Sequence, residues 1–307
     1  MADIWPGSID TSAAELRDRL RSPINRFVAE HQLPESFYRL IEQYYLPLAV
    51  WLADRRSPER TLVVGICGGQ GSGKSTLTDF LQLVWAQMDL RCAGFSLDDI
   101  YLTKTERQGL AKTVHPLLIT RGVPGTHDVQ LGLDTIAALC NADAHSETPI
   151  PQFDKSIDDR APRCDWPIHR GRVDILLFEG WCVGARPWQG AEAAINALER
   201  REDAAGIWRS YVNTQLAGPY RELFAMLDLL LMLKVPSMEC VLEWRRLQEQ
   251  KLRARSGRGM SDDELARFVQ HYERITRNLL DEMPARADCV FELGRDHQIE
   301  GLRLNSE

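Results

Sequence analysis

The stretch Thr61–Phe80, TLVVGICGGQGSGKSTLTDF, decides how the rest of the chain is read. Leu62, Val63, Val64 and Ile66 form an apolar, largely β-branched run suited to a buried strand, and Leu77, Phe80, Leu81 and Val84 follow at helical spacing. Between them lie Gly68, Gly69, Gln70, Gly71, Ser72, Gly73, Lys74, Ser75 and Thr76, which fit G-x-x-x-x-G-K-[ST]. Such a loop wraps a nucleotide's phosphates in backbone N–H groups and opens on a helix N-terminus, whose partial positive charge attracts anions. Side chains would block the wrap, so glycine is needed there. Lys74 is placed to reach the β- and γ-phosphates, and the Ser75 hydroxyl to ligate Mg²⁺. The plainer reading is a glycine-rich turn with an incidental lysine; the strand before and helix after argue against it.

Composition bounds what surrounds this loop. With 307 residues and 44% apolar content, the chain can bury a large core without disulfides. Its seven cysteines include no C-x-x-C pair, which suits reduced thiols, and Cys164, His169 and Cys182 are too irregularly spaced to suggest zinc. The opening MADIWPGSID lacks a basic segment followed by an apolar run, and no apolar stretch approaches the ~18–20 residues that span a bilayer. A cytoplasmic protein with no membrane partner is therefore expected. A net charge of −7 argues against a general nucleic-acid binder but leaves room for a locally basic pocket. Oligomeric state is not legible.

Taken in order, the chain alternates helical and strand patterns, as a mostly parallel, doubly wound α/β sheet should. Ser12-Ala-Ala-Glu15 reads as a capping box, and Leu16, Leu20, Ile24, Phe27 and Val28 continue one face past Ser22-Pro23. A second helix is expected from about Pro34, with Pro47 as a kink, so residues 1–58 read as a helical cap. Arg91–Ser96 is a short strand that delivers Asp98 and Asp99 beside the phosphate loop, where acid/base work competes with helix capping as their role. Residues 104–128 read as a long polar loop carrying Arg121 and His127; Asp128 suits a helix cap as well as a substrate contact. The strand-like run Pro149–Phe153 leads to Lys155 and Arg160, whose anions are either structural (Asp154 or Asp158) or substrate. Val173–Phe178 should be a central parallel strand delivering Glu179, in the manner of a Walker B strand whose carboxylate serves Mg²⁺.

Residues 186–226 look helical and carry no motif. Leu229–Val235 is another strand, after which Ser237 caps a helix bearing Arg245, Arg246, Lys251, Arg253 and Arg255, with a stop at Gly257-Arg258-Gly259. That cationic helix is either a solvated face or a lid whose Arg245 or Arg246 neutralises a moving phosphoryl group. Ser261-Asp-Asp-Glu264 caps a last helix, and Cys289–Leu293 completes the sheet.

The ordered motifs LDDIY, RGVPGTHD, PQFDKS, ILLFEGW, EWRRLQE and GMSDDELARFVQHY resemble those of the D-glycerate 3-kinase family, which belongs with the uridine, phosphoribulose and pantothenate kinases. The resemblance covers about residues 35–300 and implies a P-loop kinase domain at 59–300, a lid near 243–260 and a tail at 301–307. It also implies transfer of the ATP γ-phosphoryl group to D-glycerate, with Asp98 as base, Asp99 beside it, Glu179 as the Walker B acid, and Arg121, His127, Asp128, Lys155 and Arg160 around the acceptor. An acid acceptor wants cations such as Arg121, Lys155 or Arg160. A nucleoside would want stacking aromatics, for which Tyr101 and Trp181 are available. Two alternatives stay open: a kinase of another small alcohol (a nucleoside, sugar or pantothenate-like compound), and a nucleotide-binding regulator without catalysis.

Overall fold

Four helices precede the first strand: α1 (Gly7–Arg19), α2 (Arg21–Glu30), α3 (Phe37–Leu40) and α4 (Leu46–Asp54). The fold, drawn from a computed structural model, is described for residues 5–190, 193–256 and 259–305. The capping box expected at Ser12–Glu15 is not one. α1 already starts at Gly7, and the same spacing falls on its exposed face while Ile9, Ala13 and Leu16 point inward. Helix restarts at Phe37 rather than Pro34, and a π-helical turn, Ile41–Tyr45, joins α3 to α4. Pro47 then sits in the first turn of α4, directly after that π-helical turn.

β1 (Leu62–Gly68) is buried along its whole length and feeds α5 (Lys74–Ala86) through the glycine loop. β2 (Cys92–Ser96) ends in a 3-10 turn, Leu97–Ile100. The expected long loop at 104–128 instead holds α6 (Lys104–Thr113) and a second 3-10 turn, Pro116–Ile119. α6 eluded hydrophobic periodicity because its one buried residue is Arg107; its capping box, Thr103 with Glu106, was legible. α7 (Val129–Cys140) follows, capped by Asp128.

The expected run Pro149–Phe153 is split between two small hairpins outside the main sheet. β3 (Glu147–Pro149) and β4 (Phe153–Asp154) pair respectively with β6 (Ile168–Arg170) and β5 (Asp159–Arg160). β7 (Ile175–Gly180) lies between β1 and β2, parallel to both, as its apolar sequence predicts. The 186–226 segment turns helical only at α8 (Ala197–Glu202), followed by α9 (Ile207–Ala217) and α10 (Pro219–Phe224). β8 (Leu229–Lys234) leads to α11 (Met238–Ser256), and α12 (Asp262–Glu282) opens at the expected Ser261–Glu264 box. Gly257 and Arg258 of the expected stop lie outside the described residues. β9 (Cys289–Leu293) does not complete the sheet. Residues taken for a tail form β10 (Ile299–Leu304), antiparallel to β9, because a tight turn at Gly294–His297 folds Leu302 and Leu304 back onto the core.

The six strands run β10-β9-β8-β1-β7-β2, and all but β10 are parallel. Alternate residues feed two cores. Val64, Ile66, Leu177 and Leu231 meet α1, α2, α4, α5 and α11, while Val63, Cys67, Leu176 and Met232 meet α7, α9, α10 and α12. The N-terminal helices are thus part of one covering layer; the indole Nε1 of Trp85 in α5 donates to the Ala49 carbonyl in α4 at 3.0 Å. Among the described residues no helix is long and apolar enough to cross a membrane.

Candidate active site

Parallel strands present their C-terminal ends along one edge, and the loops leaving those ends build the site. Behind β1, Gly73 caps α5 at φ 90°, a conformation that a side chain would strain. Gly68 is required for space, since a Cβ there would stand 2.6 Å from the Ser72 Oγ. That hydroxyl is itself buried without a hydrogen-bond partner, a polar atom left for a ligand of the loop. The Lys74 ammonium donates to the carbonyls of Gly68 (2.9 Å) and Gly69 (3.3 Å), which folds it back over the loop.

Past β2, the Ser96 hydroxyl accepts from the Asp98 N–H, and Asp99 accepts from the Ser96 N–H at 2.8 Å. Asp98 therefore faces outward with both oxygens engaged: the Tyr101 hydroxyl donates to Oδ1 at 2.8 Å and the Lys155 ammonium to Oδ2 at 2.6 Å. Burial pushes Asp98 up, but Lys155 and Tyr101 outweigh it and hold it below the ordinary carboxylate range. Asp99 has no such cation bonded to it, and burial together with Asp98 and Glu179 raises it to about 6. Glu179, on β7 beside Ser96, is also raised, chiefly by burial and by Asp98, against the pull of Lys74.

The acceptor side is built from α6 and the β4–β5 turn. Arg107 is buried and donates to the carbonyls of Leu102, Ile119 and Asp158, and it pairs with the Asp158 carboxylate at 3.0 Å. Arg121 bonds the same carboxylate from the other side and lies 5.4 Å from the Phe153 ring. Two guanidiniums thus share one anion, which leaves a positive balance.

Gln70, Gly71, Lys74, Ser75, Asp98, Asp99, Tyr101, Arg121, Lys155, Glu179 and Arg245 all line one cavity of about 730 Å³. These residues come from six separate stretches of sequence. Gly68, Gly69, Ser72, Gly73 and Thr76 are not among the residues lining it. Three residues expected at the acceptor do not line it. Arg160 donates to the Tyr101 carbonyl (2.9 Å) and to Asp128 (3.1 Å), and Asp128 also caps α7, so this pair braces the site from behind. His127 is buried, stacks on Tyr101 with centroids 4.5 Å apart, and bonds the Tyr220 hydroxyl through Nδ1. Burial pulls it down to about 3, so it is neutral. Of the two lid candidates, Arg245 lines the cavity and pairs with Glu249 at 2.5 Å, whereas Arg246 turns to Asp262 at 3.8 Å. Sequence reasoning missed Arg107, Thr120, Gln248 and Tyr272, all of which line the cavity, and it offered Asp158 as an anion for Lys155 or Arg160, whereas Asp158 pairs with Arg107 and Arg121. Only Arg107 had left a signal, the Thr103–Glu106 box just before it.

A mostly parallel sheet with a phosphate loop after β1 and carboxylates at the ends of β7 and β2 beside it defines a P-loop kinase. No family model matches the chain. It is 36% identical over 230 residues to an uncharacterized kinase, mug58, of Schizosaccharomyces pombe, an alignment covering 72% of this chain and 82% of that one. It is 29% identical over 247 residues to the chloroplastic D-glycerate 3-kinase of Arabidopsis thaliana, covering 75% of this chain and 52% of that protein. The structure of a D-glycerate 3-kinase from Cryptococcus neoformans superposes with a TM-score of 0.67 at 25% identity, over 85% of this chain and 96% of that one. The chain belongs to the D-glycerate 3-kinase family of P-loop kinases.

Proposed function

We propose that this kinase transfers the γ-phosphoryl group of ATP to a hydroxyl of a small organic acid, with D-glycerate as the acceptor and 3-phospho-D-glycerate as the product. The observation that carries the reading is the shared cavity. Lys74 and the phosphate loop share its lining with Arg121, Lys155 and Asp98, and Lys155 bonds Asp98 directly. The Arg107–Asp158–Arg121 cluster gives its lining the positive balance that a carboxylate requires. The D-glycerate 3-kinases of Arabidopsis thaliana and Cryptococcus neoformans, similar in sequence and in fold, support the same acceptor.

In this reading Asp98 orients the acceptor hydroxyl and takes its proton, while Lys74 and Arg245 stabilise charge on the phosphoryl oxygens in transit. Ser75 and Glu179 would hold Mg²⁺. A hydroxyl and a buried carboxylate with no bonded cation among the described residues are hard oxygen donors that suit it, and the ion would neutralise phosphate charge. His127, Asp128 and Arg160 position Tyr101 and the cavity wall.

A nucleoside acceptor is less well served. The ring of Tyr101 is taken by His127, and Trp181 packs edge-on against Tyr272 with its Nε1 donating to the Gly122 carbonyl. ADP release measured over a panel of acids, polyols, sugars, pantothenate and nucleosides tests the assignment. D-glycerate should give the highest kcat/KM, and no release with glycerate alongside turnover of a neutral alcohol would overturn it.

A further inference from the structure

We propose that Lys155 is a specificity switch: it covers Asp98 until a carboxylate on the acceptor draws it away, so that only an acid uncovers the base for its own phosphorylation. This rests on the reading of Asp98 as the base.

The geometry lies in one short turn. Residues 155–158 join β4 to β5, and Asp154 pins their start by accepting from the Ser156 N–H (2.8 Å) and hydroxyl (2.6 Å). At one end of the turn Lys155 holds Asp98; at the other Asp158 holds Arg107 and Arg121. The turn therefore touches both the base and the anion-attracting cluster. Lys155 is the most exposed of these groups, with 60% of its side chain exposed against 2% for Arg107. Its long stem lets the ammonium swing between two anions without moving the backbone, as a lysine does more readily than a planar guanidinium.

Asp98 has two oxygens, and both are occupied in the resting arrangement, Oδ1 by Tyr101 and Oδ2 by Lys155. Each oxygen keeps a second lone pair, but one paired with an ammonium at 2.6 Å is a weaker base for the proton of an incoming hydroxyl. An acceptor carboxylate placed between Arg121 and Lys155 offers the ammonium another anion and frees Oδ2. The acceptor oxygen then bonds to the γ-phosphorus as the bond from that phosphorus to the bridging oxygen breaks. The bonding pair leaves with ADP, and the hydroxyl proton passes to Asp98. A neutral alcohol, or water, supplies nothing to move Lys155, so the base stays covered and ATP is spared hydrolysis.

The test compares wild type with Lys155→Met, following ADP release with D-glycerate, with glycerol and with no acceptor, and measuring ATP-analogue affinity as a control for folding. A switch predicts that the variant loses activity with glycerate while glycerol phosphorylation and acceptor-free hydrolysis rise ~10-fold or more, a fraction of what a working general base contributes. If neither rises and only glycerate turnover falls, Lys155 is a binding group and the switch is wrong. A wild type that ignores glycerate but uses another acid would correct the substrate assignment alone. The acceptor-free rate would still decide the role of Lys155.

Discussion

Asp98 and Asp99 are neighbours in sequence with opposite electrostatics. Asp98 is held down by Lys155 and Tyr101, whereas Asp99 is pushed up to about 6 by burial and by the carboxylates near it. A raised carboxyl takes up a proton more readily in the folded state, so its protonated form favours folding below its unfolded value, and that contribution is lost as pH rises through about 6. Asp99→Asn is accordingly expected to stabilise the protein at pH 7.5, on the order of 2 to 3 kcal/mol, with the gain fading as pH falls from about 6 and gone below about pH 4. Melting curves across that pH range check this; a gain that does not vary with pH would show that Asp99 carries no folding cost as an anion. For Asp98 the sign is reversed. Activity needing its anion should persist into acid, and Lys155→Met should move the acidic limb of kcat/KM upward.

Elements explain why a helix with no motif matters to the site. α10 contributes Tyr220, whose hydroxyl accepts from the Gly125 N–H at 2.9 Å and bonds His127, the ring on which Tyr101 stacks. Tyr220→Phe leaves a buried N–H and a ring nitrogen unsatisfied, which should cost about 2 kcal/mol or more. Thermal melts should show that loss. Acceptor KM should rise while ATP-analogue affinity holds; a variant with unchanged KM would remove α10 from the site's support. Nothing in the sequence of α10 announces this, because a tyrosine on an apolar helical face reads as core. Where period and motif coincide, as in β1, α5, β7 and the Ser261 box, the sequence was sufficient. It misled where the inward-facing group was polar, as with Arg107 in α6, or where pairing depended on a turn, as with β10. Lys74, Asp98, Asp99 and Glu179 were legible because they sit at or just past the ends of β1, β2 and β7. Residues behind the cavity, such as Arg160 and Asp128, were read as substrate contacts because a charge that braces a wall and one that binds a ligand look alike in one dimension.

At the scale of the whole molecule, a chain of net charge −7 gathers Lys74, Arg107, Arg121, Lys155 and Arg245 against four carboxylates in a single cleft. That local reversal of sign concentrates anionic ligands where the sheet presents its loops. The two cores on opposite faces of the sheet fix the ends of β1, β2 and β7 relative to one another, and so bring together groups more than a hundred residues apart. The account depends on Asp98 serving chemistry rather than nucleotide binding. Asp98→Asn, assayed for steady-state turnover with D-glycerate and separately for ATP-analogue affinity, tests that most directly. The account predicts unchanged affinity and a loss of ~10²-fold or more in kcat. Turnover at the wild-type rate would contradict it.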